Sequence, residues 1–282
     1  MSRRSVTANS RAARIDRSFA GYAFDLDGTI YLGDSLLPSA AEVVREIRGG
    51  GGRVVFVTNK PLQTSAEYAA KLTGLGIAAA AADIVTALDS LFLYLEEHYR
   101  GAKILPVTES LVIEMLSRRK FAITTDPGMA DVVVVAFDRT FDYAKLNAAY
   151  RAVRLHGAAL IATNPDPYCP TPDGGLPDCA AMLAAVEACT GAKAEAVLGK
   201  PSAYMARAVL DRLAVPARGA AVVGDRLATD IALAKSQGLV GVLVLTGATK
   251  LDDVGRAGTK PDYVIEGLHQ LLPPAYTPPA SA

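Results

Sequence analysis

The sequence predicts an α/β protein, a parallel-sheet core carrying a large inserted α/β domain. Three observations point there. Strand-like apolar runs alternate with helix-like ones throughout the 282 residues, as in chains of βαβ units. Four of the apolar runs end directly in polar, chemistry-bearing residues, and open parallel sheets bind ligands at the carboxyl ends of their strands. More than 140 residues separate the second of these sites from the third, far more than a single crossover needs.

The first strand is Gly21-Tyr22-Ala23-Phe24. Residues 40–48 read as a helix with Val43, Val44 and Ile47 on one face, stopped by the glycines between Gly49 and Gly52. A strand at 53–57 follows. Thr64 or Ser65 is placed to cap a helix that carries Tyr68, Leu72 and Leu75 and ends at Gly76. The intervening stretch has its own alternation. Lys103 to Val107 is strand-like, Ser110 to Leu116 helical, Val132 to Phe137 a buried strand, Tyr143 to Leu155 a helix, Ala158 to Ala162 a strand and Ala180 to Cys189 a helix. Ala196-Val197-Leu198 and Ala220-Ala221-Val222-Val223 read as strands that return the chain to the core. Asp230 to Lys235 reads as a helix closed by Gly238, and strands at Val240 to Leu245 and Tyr263 to Ile265 finish the pattern. The expected organisation is a core over 19–84 and 191–270, an inserted domain over 85–190, a disordered tail over 1–18 and a Pro-rich tail over 271–282.

Composition narrows the function. Apolar residues make up 51% of the chain, enough for a sizeable core, and Lys plus Arg balance Asp plus Glu at 29 each. No global basic field therefore recruits nucleic acid or an acidic membrane. Arg3, Arg4, Arg11, Arg14 and Arg17 lie among small polar residues with no apolar run behind them, which argues for a solvated tail and against a secretory signal. The longest apolar stretches are too short to cross a bilayer. Cys169, Cys179 and Cys189, ten apart, match neither a disulfide framework nor a zinc spacing. A cytoplasmic, reducing compartment is the expectation.

The four strand ends carry complementary chemistry. Asp25-Leu26-Asp27-Gly28-Thr29 follows the first strand, and Thr58-Asn59 follows the second. Gly199-Lys200-Pro201 follows the run at 196–198, and Gly224-Asp225-Arg226, with Asp230, follows the run at 220–223. Residues i and i+2 of an extended segment share a face, so Asp25 and Asp27 meet at one spot, and Gly28 frees the chain to turn away. Of two neighbouring carboxylates, one can attack while the other carries a proton; spacing alone does not say which. Gly199-Lys200-Pro201 is no nucleotide P-loop, because Ala194 stands where the first Gly is needed and Pro201 where Ser or Thr is needed.

Charge counting requires a further component. With Asp27 protonated, Asp25, Asp225 and Asp230 outnumber Lys200, and a phosphate dianion would be repelled. Each like-charge pair costs about 4 kcal/mol at about 4 Å and an effective dielectric of about 20. A divalent cation neutralises the set, and oxygen ligands without His or Cys point to Mg²⁺. Asp25, Asp225 and the backbone carbonyl of Asp27 are the expected ligands. Thr58 and the Asn59 amide can bind phosphoryl oxygens, Lys200 can balance nucleophile and phosphate, and Lys60 adds a cation near the entrance.

These residues, in this order, resemble the haloacid dehalogenase superfamily of aspartate-nucleophile phosphatases over about Gly21 to Ile265. The long insertion, Ala162-Thr163-Asn164-Pro165-Asp166 within it, Gly224-Asp225-Arg226 with Thr229-Asp230, and Leu245-Thr246-Gly247 are similar to the NagD-like, or p-nitrophenylphosphatase-like, IIA branch. The resemblance implies a Rossmann-like parallel core of the HAD type with the insertion as its cap. It implies Asp25 as nucleophile, Asp27 as general acid and then base, catalytic roles for Thr58 and Lys200, and Mg²⁺ held at Asp25, Asp27 and Asp225. Gly28, Gly224, Arg226 and Asp230 would support the site. Thr58, Asn59, Lys60, Asp166, Tyr168, Lys200 and the Pro172 to Asp178 loop would meet substrate. The branch also suggests a homodimer through the cap.

The chain departs from many members in reading Pro177-Asp178-Cys179-Ala180 where they carry a Gly-rich loop. It has Cys169 where pyridoxal-phosphate phosphatases tend to have His. Both departures weaken the case for pyridoxal phosphate. The loop and the remaining cap segments are most similar to sugar-phosphate phosphatases, which favours small phosphorylated sugars or polyols, with promiscuity and activity on p-nitrophenyl phosphate expected. Phosphoglycolate, pyridoxal phosphate and nucleoside monophosphates are the alternative substrates. A dehalogenase would not need Asp27 or Asp225, and a non-catalytic phospho-ligand sensor would be expected to lack Asp25, Asp27 or Lys200.

Overall fold

A computed structural model of the chain describes residue 15, residues 17–169 and residues 174–272. Two parallel sheets organise the described residues. In chain order, β1 (Gly21–Asp25), β2 (Arg53–Thr58) and β3 (Ile84–Thr86) belong to the first sheet. β4 (Lys103–Val107), β5 (Ala122–Ile123), β6 (Val132–Val135), β7 (Ala159–Ala162) and β8 (Ala196–Val197) form the second. β9 (Ala220–Gly224), β10 (Val240–Val244) and β11 (Tyr263–Ile265) return to the first. The orders are β11-β10-β9-β1-β2-β3 in the core and β8-β7-β6-β4-β5 in the cap.

Alternation along the core strands explains its layers, since successive side chains point to opposite faces. Tyr22, Phe24, Val54 and Phe56 pack on one face with helices Ala40–Gly49 and Ser65–Gly74. Ala23, Val55, Val57 and Val222 pack on the other with helix Ala203–Leu213. Phe24 and Phe56 are fully buried, and truncating either to Ala would cost about 3–5 kcal/mol. Both faces of the cap sheet are covered too, Val133, Val135 and Leu160 facing one cluster and Val132, Val134 and Ile161 the other. No described helix is long and apolar enough to cross a membrane.

Local signals place the elements. Thr64, rather than Ser65, caps its helix, in a reciprocal pair in which the Glu67 amide donates to Thr64 Oγ1 at 3.2 Å and the Thr64 amide to Glu67 Oε2 at 2.7 Å. Such a capping box satisfies two otherwise orphaned donors. The helix expected over 143–155 is α-helical over Tyr143–Tyr150 and widens into a π-type turn at Arg151–Leu155. The helix expected from Asp230 begins earlier, with a π-type turn over Leu227–Ile231 ahead of Ala232–Ser236.

One strand lies elsewhere than expected. Ala196–Val197 pairs with Ile161 and Ala162 of the cap sheet, not with the core. An apolar run alone does not say which sheet will accept it. Sheet membership thus changes across helix Ala87–His98 and again just after Val197, rather than at 85 and 190. That helix joins the two units: Leu88, Leu91, Phe92 and Leu95 pack in the cap cluster, while Leu93 packs against the core. Most of the N-terminal and Pro-rich tails lie outside the described residues. So do residues 170–173, which include Pro172 and Asp173 of the loop expected to meet substrate. Of the tail residues that are described, Ile15, Leu271 and Leu272 are buried against the core.

Candidate active site

Register brings the motifs level. Phe24 lies beside Phe56 on one side and Val223 on the other, and Asp25 lies beside Val57. Asp25, Thr58 and Asp225 therefore leave the sheet within one residue of each other. Asp230 arrives from the turn that follows β9. Its carboxylate lies where a Cβ on Gly224 would come within 2.2 Å of its Cγ, so residue 224 must be glycine for Asp230 to close in. Gly247 does the same for Asp225, since a Cβ there would stand 2.0 Å from Asp225 Oδ2.

The ammonium of Lys200 sits in the middle. It donates to Asp25 Oδ1 and, at 2.6 Å, to Asp230 Oδ1. Asp230 Oδ2 accepts from the Arg226 amide at 3.1 Å, so both its oxygens are engaged. Asp225 Oδ2 accepts from the Ala248 amide at 2.6 Å, but Asp225 Oδ1 is buried without a hydrogen-bond partner. One carboxylate oxygen from each of Asp25, Asp225 and Asp230 falls within 4.8 Å of the others.

Such crowding shifts the protonation of the group. Burial, opposed by the Lys200 charge and reinforced by Asp230 and Asp225, holds the Asp25 carboxyl well above the usual carboxylate range. Burial, then the Asp230 charge, pushes Asp225 up to about 6. For Lys200, burial works against the charged form, but Asp230 and Asp25 outweigh it and the ammonium is held.

The other expected residues are arranged around a narrow cleft that opens to solvent. Asp27 faces it and pairs with Lys60 Nζ at 2.9 Å. The Thr58 hydroxyl accepts from the Lys60 amide at 3.1 Å. The Gly28 carbonyl accepts from the Thr246 hydroxyl at 2.6 Å, which ties the first motif to the loop after β10. Lys200 reaches the floor not from a core strand but from the segment leaving the cap sheet at β8.

The roof comes from the cap. Asp166 is bound by protein partners: Asp166 Oδ2 accepts from Asn59 Nδ2 at 2.9 Å, and Arg226 Nη1 stands 3.8 Å from Asp166 Oδ1. The Arg226 guanidinium also lies over the Tyr168 ring, 5.8 Å from its centre. Tyr168 is 48% exposed. Two further polar residues line or support this space, each from a segment the sequence had marked without a role for that residue. Asn164 is fully buried and donates to the Asn59 carbonyl at 3.1 Å. Asp178 caps helix Cys179–Thr190, and burial, with Asp166 nearby, pushes it up to about 6. An Asp directly before an apolar helical run is the signal that could have found Asp178.

A parallel α/β core with an inserted cap, and a lysine from the cap-side segment set among acids at the core strand ends, is an arrangement suited to a phosphohydrolase. The chain belongs to the haloacid dehalogenase-like hydrolase family, whose model matches residues 22–122, with a HAD-hydrolase-like model matching residues 197–271. It is 35% identical over 249 residues to the sugar-phosphatase AraL of Bacillus subtilis (strain 168), covering 88% of this chain and 90% of that protein. The solved structure of 4-nitrophenylphosphatase from Thermotoga maritima matches with a TM-score of 0.84 at 34% identity, covering 90% of this chain and 96% of that one. NagD from E. coli K-12 matches with a TM-score of 0.81 at 29% identity, covering 89% and 98%. The chain is thus a NagD-like phosphatase of this family, whose phosphatases are metal-dependent and act on small phosphorylated substrates.

Proposed function

We propose that the chain is a Mg²⁺-dependent phosphomonoesterase for sugar or polyol phosphates that works through a phosphoaspartate on Asp25. The observation that carries the metal assignment is the buried, unpartnered Asp225 Oδ1 beside the Asp25–Lys200 pair. A buried carboxylate oxygen without a donor is costly, and a bound cation would offset that cost. Asp25 and Asp225, with the Asp27 backbone carbonyl, would hold Mg²⁺. Asp230, whose two oxygens already accept from Lys200 and Arg226, anchors the lysine instead. When bound, the metal would neutralise charge on the oxygens of the transferring group.

The side chains then divide the work. Asp25 attacks phosphorus, an O–P bond forms, and the bond from phosphorus to the leaving oxygen breaks. Asp27 gives its proton to that oxygen. In the second half, water attacks the phosphorus of phosphoaspartate, its proton passes to Asp27, and Asp25 leaves as a carboxylate with release of phosphate. Positioned proton transfer of this kind contributes about 10²–10⁴ in rate. Thr58 and the Asn59 amide would hold phosphoryl oxygens, and Lys200 would balance their charge.

Sugar or polyol leaving groups suit a roof that presents an exposed Tyr168 beside the cleft. The relationship to a protein named as a sugar-phosphatase supports the same choice. The cap unit bearing this roof would select the leaving group, and a homodimer through the cap and a cytoplasmic location complete the proposal on resemblance. The test is phosphate release from sugar, polyol, nucleoside and pyridoxal phosphates, each with Mg²⁺ and with EDTA. A preference of at least tenfold for the sugar or polyol esters, lost in EDTA, is expected. Equal turnover of all esters would remove the substrate assignment.

A further inference from the structure

Asp166, one of the residues expected to touch substrate, has both carboxylate oxygens turned to the protein. Oδ2 accepts from Asn59 Nδ2 at 2.9 Å, and Oδ1 faces Arg226 at 3.8 Å. Asn59 in turn grips the backbone of Lys200 from both sides. Its Oδ1 accepts from the Lys200 amide at 2.7 Å, and its Nδ2 donates to the Lys200 carbonyl at 3.2 Å.

An amide side chain can present either end to a neighbour, and its partners decide which. An ionised carboxylate only accepts, so Asp166 requires the nitrogen of Asn59 on its side. That leaves Asn59 Oδ1 as the atom that meets the Lys200 amide. With the amide reversed, Oδ1 would face the Asp166 carboxylate, and the Lys200 amide would face a donor. The cap loop keeps the carboxylate at this place by a second set of bonds. Asn164 donates to the Asn59 carbonyl at 3.1 Å and accepts from the Asp166 amide at 2.9 Å.

We propose that Asp166 is a positioning residue: through the Asn59 amide, a cap carboxylate fixes the backbone from which Lys200 reaches Asp25. The effect of Asp166 falls on the chemical step and is the same for every leaving group, because it acts on the floor and not on the alcohol. This inference rests on the proposed role of Lys200 but not on the choice of sugar or polyol substrate.

The experiment is steady-state kinetics on Asp166→Ala and Asp166→Asn with two substrates, p-nitrophenyl phosphate and glycerol phosphate, after thermal unfolding has shown that each variant is folded. Asp166→Ala is expected to lose at least tenfold in kcat on both substrates with KM within about threefold of wild type. Asp166→Asn is expected to recover most of that loss, since its amide oxygen can still accept from Asn59. Asp166→Ser, too short to reach Asn59, replaces the alanine variant if that variant does not fold. A loss confined to glycerol phosphate and expressed in KM would overturn the proposal in favour of direct substrate contact. Equal loss in the alanine and asparagine variants, or none in either, would overturn it as well. Turnover of p-nitrophenyl phosphate by the wild type, and its loss in Asp25→Asn, separately reports whether the underlying phosphatase chemistry stands.

Discussion

The floor and the roof of the cleft are built by different rules. On the floor, Asp25, Lys200, Asp225 and Asp230 are each nearly or fully buried, and each is held in place by another member of the set or by a backbone amide. Their positions answer to a fixed demand, since every phosphomonoester presents the same phosphoryl group. On the roof, Tyr168 is half exposed, and Asp178, although buried, is held by the Cys179 amide of its own helix and by no ion pair among the described residues. Here the demand varies with the alcohol to be released. Mutual ion pairing thus marks the part proposed to meet the phosphoryl group, and locally supported side chains the part proposed to meet the alcohol.

The largest effect expected under that contrast is at Asp25. Asp25→Asn keeps the shape of the floor but removes the proposed nucleophile, and turnover should fall by about 10⁴ or more on every substrate. Single-turnover measurement with p-nitrophenyl phosphate checks it. Activity persisting within tenfold would remove Asp25 from the chemistry and dissolve the distinction between floor and roof.

Lys200→Ala sharpens the contrast by reading stability as well as rate. Asp25 and Asp230 would be left buried without their shared cation, and breaking one side of a buried pair costs about 3–5 kcal/mol. Urea unfolding without added metal should show that loss. Mg²⁺ should recover part of it, because a ligand that binds only the folded state stabilises by mass action. A variant as stable as the wild type would mean that the acids can discharge by taking up protons.

Gly247→Ala attacks the floor without replacing a charged residue. The added Cβ would stand 2.0 Å from Asp225 Oδ2, so the carboxylate must move. Residues that orient a metal ligand typically matter by about 10–100-fold in metal affinity. The concentration of Mg²⁺ for half-maximal activity should rise by that factor with kcat at saturation largely kept. An unchanged Mg²⁺ requirement would detach Asp225 from metal binding.

Legibility in the sequence follows the same division. Floor residues directly follow apolar runs, and parallel pairing puts such positions together whatever lies between them, so Asp25, Thr58 and Asp225 could be found without coordinates. The alternation of Val132 to Phe137 and its neighbours likewise disclosed a second α/β unit. What was not legible depends on contacts between units. Ala196–Val197 is an ordinary apolar run, and only the free edge beside β7 decides that it joins the cap. Asp166 sits in a loop where Asn and Asp are common turn formers, and nothing local reveals that Asn59, more than 100 residues earlier, takes its carboxylate. Helix Ala87–His98 carries a Thr86–Asp89 capping box, a signal written in the chain but masked by its place between the two units it joins.

The smallest expected effect tests the roof by pH. Burial raises Asp178 from an ordinary 3.8 to about 6. Below pH 4 both the folded and unfolded forms keep its proton, and Asp178 leaves stability unaffected. Between pH 4 and 6 the unfolded chain releases the proton while the folded chain retains it, so stability falls as pH rises. Above about 6 both forms are ionised and the loss is complete, at most on the order of 3 kcal/mol. Asp178→Asn keeps an oxygen for the Cys179 amide, which donates to Asp178 Oδ1 at 2.6 Å, but has no proton to release. Its stability relative to wild type should therefore improve from pH 4 to pH 7, by about 1–3 kcal/mol. Asp25 and Asp225 are raised in the same direction, so each protein must be measured at both pH values with EDTA and the difference between proteins taken. An equal fall in both would assign the whole pH dependence to the floor and leave the roof carboxyl as a helix cap with no electrostatic part.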